Sequence, residues 1–530
     1  MSTIVTRSVK GYPLTWDEMD DNLNNLNYGS YISVKDTAYG AIGDGITDDT
    51  AAIQAAITAN PGKVIYIPPG DYFVSSTITI RTSKTNIMGS GQGSTTIKRS
   101  GDYGDTFFFT GNDITGFIPL DVGISRLSIE SSGLTTSGAH IRFRGCSRID
   151  VFSIFLQQGF IGFKLEGCTA ATFSNLYLVF TNLYGGSATG RKYLFLGNAP
   201  APYSHLSCGD IFFSNFNFRG NVTYQVTEIG IDIVSSDGIW FSNGHVGNST
   251  YANISINANT TEMMNLLFFD NVMSDEGTLY SLLIAGSGPS VFRHIQFSNC
   301  LFKSGGIPAY CQYGITFAAA CTVQHVSFSN CTITEMGATG VNIDSQFANY
   351  ITFSNCDVTW NGRNTPNTYP GYKLANGVKH VSIIGGRSGG YPSTFTVSQS
   401  YGIETGTGHS YNSFSNMSLI ENSLGSINGN NAECVTSNIR SQDSINISSA
   451  ATITVPSPLD FVIVTGTTNV STITSSWLGR IMTLSFNNVL TVQDGVGNLK
   501  LNGDFITSDE DTLTLAYNGA NWIEVTRSPN

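Results

Sequence analysis

A three-residue phrase, Phe-Ser-Asn or a close variant, recurs down the middle of this chain. Its third residue falls at Asn175, Asn215, Asn243, Asn271, Asn299, Asn330, Asn355 and Asn416, and Gly385 of VSIIGG fills the slot before Asn416. Most steps lie between 25 and 31 residues, and upstream ISRLSI and CSRIDV carry the pattern with Arg126 and Arg148. A repeat of this length means a solenoid, because no single unit can bury its own apolar face. Short β-branched and aromatic runs between Gly, Asn and Ser are strand-and-turn chemistry. The expectation is an all-β fold: a right-handed parallel β-helix of about eleven coils.

The phase of the phrase says which side chains point inward. Two residues before the Asn stand Phe213, Phe241, Phe269, Phe297, Phe328, Phe353 and Phe414. One residue after it stand Leu176, Phe216, Val272, Cys300, Cys331, Cys356 and Met417, and three after it Leu178, Phe218, Val246, Phe302, Ile333, Val358 and Leu419. These apolar columns must line the bore. The Asn sits where the alternation changes phase, which marks a bend. Asn tolerates the left-handed conformation there, and its amide can bond to the Asn one coil on. The ladder is therefore structural.

Charged residues make up 12% of the chain and the net charge is −12, which argues against nucleic acid as a partner. No apolar run of membrane-spanning length occurs, and MSTIVTRSVKGYPLTW lacks the apolar core of a secretion signal. Nine Cys, with Cys300, Cys331 and Cys356 in one inward column, read as buried free thiols acting as small hydrophobes. None has zinc-site spacing, so neither metal nor cofactor is expected.

Four segments follow. Residues 1–30 form a polar head in which Thr15 and Glu18 can open a short helix as a capping box. Residues 31–110 hold GDGITDDTAAIQAAI, where Asp49 or Thr50 can cap a helix with Ile53, Ala56 and Ile57 on its apolar face, and then the first strands. That helix would plug the open end of the solenoid. Residues 111–443 are the coils. Over 444–530 the period stops and short alternating strands such as DFVIVTG, RIMTLSF and DTLTLAY predict a β-sandwich.

GDGITDDTAAIQAAI resembles the opening of pectate-lyase-like β-helices, especially those of phage tailspikes. GYPLTWDEMDDNLNNL is similar to the start of many tail fibres and tailspikes, and 444–530 to a C-terminal tailspike module. The resemblance implies a homotrimer on the phage virion, made in the host cytoplasm. It implies attachment to a tail or baseplate protein through residues 1–30, and trimerisation and possible sugar binding through 444–530. The implied partner is a bacterial capsular or O-antigen polysaccharide.

Outward positions past each bend would then carry the chemistry. They collect Asp275, Glu276, Lys303, Glu335, Asp357, Trp360 and Glu421, with His245 upstream. At ~4.8 Å per coil, Glu276 and Glu335 would stand roughly 10 Å apart, near the ~6.5–9.5 Å of an inverting carboxylate pair. Glu276, Glu335 and Asp275 are the candidate catalytic acids; the bland reading makes each a solvated turn residue. Trp360, Trp240, Tyr310, Tyr313, Tyr369 and Tyr372 could offer flat platforms to sugar rings. Trp360, His245, Lys303, Asp357, Asp237, Trp240 and Tyr310 complete the candidate substrate-binding set, although Asp237 also reads as an Asp-Gly turn. Five residues before the Asn stand His294, His325, Tyr350, His380 and Tyr411. Aromatic stacking at a turn explains this column better than a metal. Acid-rich corners favour hydrolysis, while Lys303 keeps β-elimination on a uronate open. A fibre that binds sugar without cutting it is the rival of a different class. A secreted pectinase-like enzyme would need a signal peptide.

Overall fold

In the computed structural model, the described residues are Thr15, Met19 and 31–529, apart from 102–103, 112–115, 134, 182–186, 204–206, 221–226, 259–263, 287–290, 306–309, 391–398, 409, 430–433, 442–444 and 456–458. The expected head helix lies outside them. The chain forms two units, residues 1–258 with 263–273, and residues 259–262 with 274–530.

In the first unit the strands Tyr31–Ser33 and Asp44–Asp48 precede the helix Thr50–Ala59, which buries Ile53, Ala56 and Ile57 as its spacing predicts. Asp49 precedes the helix but does not cap it with its side chain. Its carboxylate accepts the Ile42 and Gly43 amides instead, and Asp48 accepts the Thr50 amide and hydroxyl. Asp44 is likewise consumed locally: the amides of Thr47 and Ile46 and the Thr47 hydroxyl hold it below the usual carboxylate range. These carboxylates are thus committed within and beside the strand Asp44–Asp48, which pairs in parallel with Gly70–Val74.

Beyond it the chain winds as a right-handed parallel β-helix. One sheet runs through Leu120–Ser131, Ser147–Gln157, Thr169–Phe180, Cys208–Gly220 and Ser236–Gly247, each pairing in parallel with the next. A second runs through Phe107–Thr110, Ala139–Arg144, Ile161–Glu166, Lys192–Gly197, Thr227–Ile233 and Ser249–Ala258. The second unit repeats the plan. Val291–Ser298, Thr322–Ser329, Ala348–Ser354 and Val381–Ile384 pair in parallel before the bend, and Leu301–Lys303, Thr332–Thr334, Asp357–Thr359 and Arg387–Gly389 after it.

The inward columns are where the phase puts them: every one of those Phe, Leu, Val, Ile, Cys and Met positions is at most 3% exposed. The phenyl rings stack along the bore, Phe213 on Phe241 at 4.8 Å in the first unit and Phe328 on Phe353 at 4.7 Å in the second. All nine cysteines are free and buried.

The Asn residues adopt φ between 52° and 55°. Asn271 donates to Asn243 at 2.8 Å, and Asn438 extends the ladder by donating to Asn416 at 2.7 Å. One upstream assignment moves. Phe152 pairs with Ser125 and Ser174, so Ser153 follows Arg126 into the bend column. Arg148 belongs to an earlier left-handed corner with Asp121 and Ala170, and it ion-pairs with Asp121 at 2.6 Å. The two corners resemble each other in sequence, since Arg148 and Ser153 are both polar, left-handed and five residues apart.

In 444–530 the alternating strands form a six-stranded sheet around Val462, Val464, Leu484, Leu513, Leu515 and Trp522. Its pairing is mixed: Asn446–Ser448, Phe461–Thr465 and Ile481–Phe486 remain parallel, and the chain turns antiparallel only from Ile481–Phe486 to Thr512–Tyr517. Among the described residues no helix is long and apolar enough to cross a membrane.

Candidate functional site

Five residues past the Asn bend the backbone turns left-handed again, and in the second unit this corner carries large polar side chains. Glu276, Glu335, Trp360 and Glu421 have φ of 53°, 63°, 56° and 63°. Gly or Asn would suit such a conformation better, so these identities answer to something other than the backbone.

Lys303 and Glu335 meet here. Parallel pairing sets Lys303 beside Thr334, and its Nζ lies 3.5 Å from Glu335 Oε1. Both groups keep contact with solvent, at 42% and 23% side-chain exposure, so they stay reachable. Glu276 lies across Gly305, where an added Cβ would sit 2.5 Å from Glu276 Cγ. The Ser304–Gly305 level therefore separates Glu276 from Glu335, and two levels at ~4.8 Å keep their backbones roughly 10 Å apart. Side chains reaching along the axis can bring such carboxylates into the ~6.5–9.5 Å range that admits a water and a glycosidic bond.

Arg363 completes the corner. The stretch after Trp360 folds back, with the Gly362, Arg363 and Asn364 amides donating to Ala338, Met336 and Gly337 carbonyls. This lays the Arg363 guanidinium 3.9 Å from the Trp360 ring centroid and 5.3 Å from that of Tyr310, whose hydroxyl accepts from Nη2 at 3.2 Å. Trp360 and Tyr310 are thus brought together, but each has a face committed to a cation and is a weaker sugar platform than expected. Arg363 was not legible in the sequence, because a lone Arg in a long turn has no periodic signal.

The other expected residues are distributed differently. Asp275 is half-buried beside Glu276. Asp357 faces Arg387 at 4.0 Å. Asp237, Trp240 and His245 belong to the first unit. Asp237 lies inside the strand Ser236–Gly247 rather than in a separate turn, and Gly238 after it, with φ of 84°, takes the left-handed corner that Asp210 holds one coil earlier. Trp240 is sandwiched between Phe212 at 4.5 Å and Phe268 at 5.4 Å, both within 11° of parallel, so neither face is open to a sugar. His245 points outward beyond the bend, in register with Asn217. Tyr372 is buried against Phe353, which removes it as a platform. The expected set thus mixed columns from both sides of the bend. The His–Tyr column is the ring stack foreseen: successive centroids lie 5.6, 5.1, 4.8 and 5.0 Å apart from His294 to Tyr411.

Residues 31–272 match the family model described as rhamnogalacturonase A/epimerase, pectate lyase-like. The chain is 28% identical over 222 residues to depolymerase 1, capsule K30/K69-specific, of Klebsiella phage K5-2, covering 41% of this chain and 26% of that protein. It is 38% identical over 116 residues to mannuronan C5-epimerase AlgE2 of Azotobacter vinelandii, covering 20% of this chain and 11% of that one. It thus spans a tenth to about a quarter of the length of these curated relatives. Among solved structures, tailspike protein 3 of bacteriophage CBA120 aligns with a TM-score of 0.47 and 12% identity, over 83% of this chain and 67% of that one.

Proposed function

We propose, for a pectate-lyase-like chain related to capsule-specific depolymerases of Klebsiella phages, that it is a virion tailspike cutting a bacterial capsular or O-antigen polysaccharide by glycosidic-bond hydrolysis. The observation that carries this reading is the corner where Lys303 holds Glu335 and Glu276 lies across Gly305. Glu276 protonates the glycosidic oxygen, with Asp275 beside it. Glu335, oriented by the Lys303 ammonium, takes the proton of a water attacking the opposite face of the sugar. A water is added and one glycosidic bond broken. Three copies assemble as a homotrimer, and residues 1–30 dock it on the tail.

A second reading, β-elimination on a uronate, is supported by the two cations at this corner, Lys303 and Arg363, which would neutralise the anion formed beside the carboxyl group. Mass spectrometry of the products from capsular polysaccharide of a sensitive host separates the two. Fragments heavier by one water per cut support hydrolysis; a 4,5-unsaturated uronate overturns it in favour of elimination. Intact polymer and no halo on a host lawn would leave a binding fibre. Light scattering giving the mass of one chain would refute the trimer.

A further inference from the structure

In the first unit the outward position three residues before the bend holds Phe212, Trp240 and Phe268, whose stacked rings fill the surface. In the second unit the same position holds Gln296, Ser327, Thr352 and Ser382, and the first corner carries His294, His325, Tyr350, His380 and Tyr411 instead. Small side chains beside large ones leave a groove of about 440 Å³, lined by these residues and Val326.

The ring stack has a consequence for what this groove can bind. Neighbouring rings lie within 15° of parallel, so each covers the faces of the next and only ring edges meet the groove. Sugar stacking is therefore available at the ends of the ladder alone, and the edges offer imidazole N–H and phenol O–H groups, one per coil. Among the described residues these groups make no hydrogen bond within the chain, whereas the neighbouring Asn ladder bonds to itself. The edges repeat about every 5 Å, one per coil, so an extended chain running along the axis meets donor after donor.

Charge narrows the ligand further. None of the ten lining residues is an acid, in a chain with 38 Asp and Glu. Three of its seven histidines stand here, and Arg293 and Lys379 immediately precede His294 and His380. Two lining Tyr adopt φ of 57° and 59°, a conformation bulky side chains avoid unless something holds them. We propose that this groove is a binding track for an acidic glycan, its carboxylates taken by the imidazole and phenol edges and its hydroxyls by Gln296, Ser327, Thr352 and Ser382. The track lies on the opposite side of the Asn bend from the acidic corner, so it holds polymer rather than cuts it. This inference rests on the polysaccharide reading above but not on the reaction type.

The test is calorimetry of the full chain with short oligogalacturonate and with neutral maltooligosaccharide of equal length. Oligogalacturonate should bind and the neutral oligomer should bind at least about tenfold more weakly. His325→Asn with His380→Asn removes two rings while keeping residues that accept the left-handed backbone, and should weaken oligogalacturonate about tenfold. Tyr411→Ala, at the exposed end of the ladder, provides a second variant should the first misfold. Equal affinity for both oligomers, or unchanged affinity in folded variants, overturns the proposal. Oligogalacturonate binding without cleavage of any polymer would instead sink the depolymerase reading and leave the track standing.

Discussion

Glu335→Gln tests the acidic corner because structure predicts opposite sizes for its effects on stability and on activity. At 3.5 Å and an effective dielectric near 20, the bare attraction of Lys303 and Glu335 is about 5 kcal/mol. Solvent screening and side-chain entropy cut this steeply, since the side chains are 42% and 23% exposed, and pairs of that kind contribute ~0.2–1 kcal/mol. The amide variant keeps shape and backbone, so the thermal midpoint at a fixed scan rate should move by no more than roughly 2 °C. If Glu335 activates the water, kcat should fall by about 10²–10⁴, equivalent to ~2.7–5.4 kcal/mol of barrier. Reducing-end release from capsular polysaccharide gives the rate. Glu335→Gly sharpens the contrast: Glu335 sits at φ 63°, and Gly relieves a left-handed strain of roughly 1–2 kcal/mol. A residue serving only as a corner would give a Gly variant at least as stable and fully active. Wild-type rates in both variants, or activity lost in proportion to stability, would refute the assignment.

Three further outcomes are expected. Gly305→Ala places a Cβ 2.5 Å from Glu276 Cγ and forces that side chain aside, so cleavage should drop about tenfold or more with the fold kept, as circular dichroism will report. Phe328→Ala, at 0% exposure between Phe297 and Phe353, opens a gap in the stacked bore and should destabilise the second unit by about 3–5 kcal/mol in denaturant unfolding. Burial, with Arg99 nearby, pushes the His140 pKa down to about 3, so the fold holds it neutral. That stability is complete above the unfolded pKa near 6.5 and drains by up to about 1.4 kcal/mol per unit as pH falls toward 3; His140→Gln should flatten this acid limb, and an unchanged slope would disprove the attribution.

The repeat, the inward columns and the buried face of the helix Thr50–Ala59 were readable because each obeys a local rule. Alternation with period two decides which face a strand residue takes, and left-handed bends accept Asn at little cost. Phe328, Cys331 and Ile333 are buried for reasons contained in one coil of sequence, and so are Ile53 and Ile57. The ring stack from His294 to Tyr411 was readable too, as one side chain per repeat.

What only tertiary structure decided is how neighbouring coils use those side chains. Trp240 looked like an open platform until Phe212 and Phe268 were stacked on its two faces. Arg148 looked like a member of the bend column until strand pairing gave that place to Ser153. Arg363 joined the corner because its loop folded back on Met336 and Ala338, and Lys303 found Glu335 through the stacking of two coils. Sequence specifies the repeating unit, since its alternation and turns are local. Coil lengths and the long turns set which residues of successive units become neighbours, and a site assembled across coils exists only once that stacking is made.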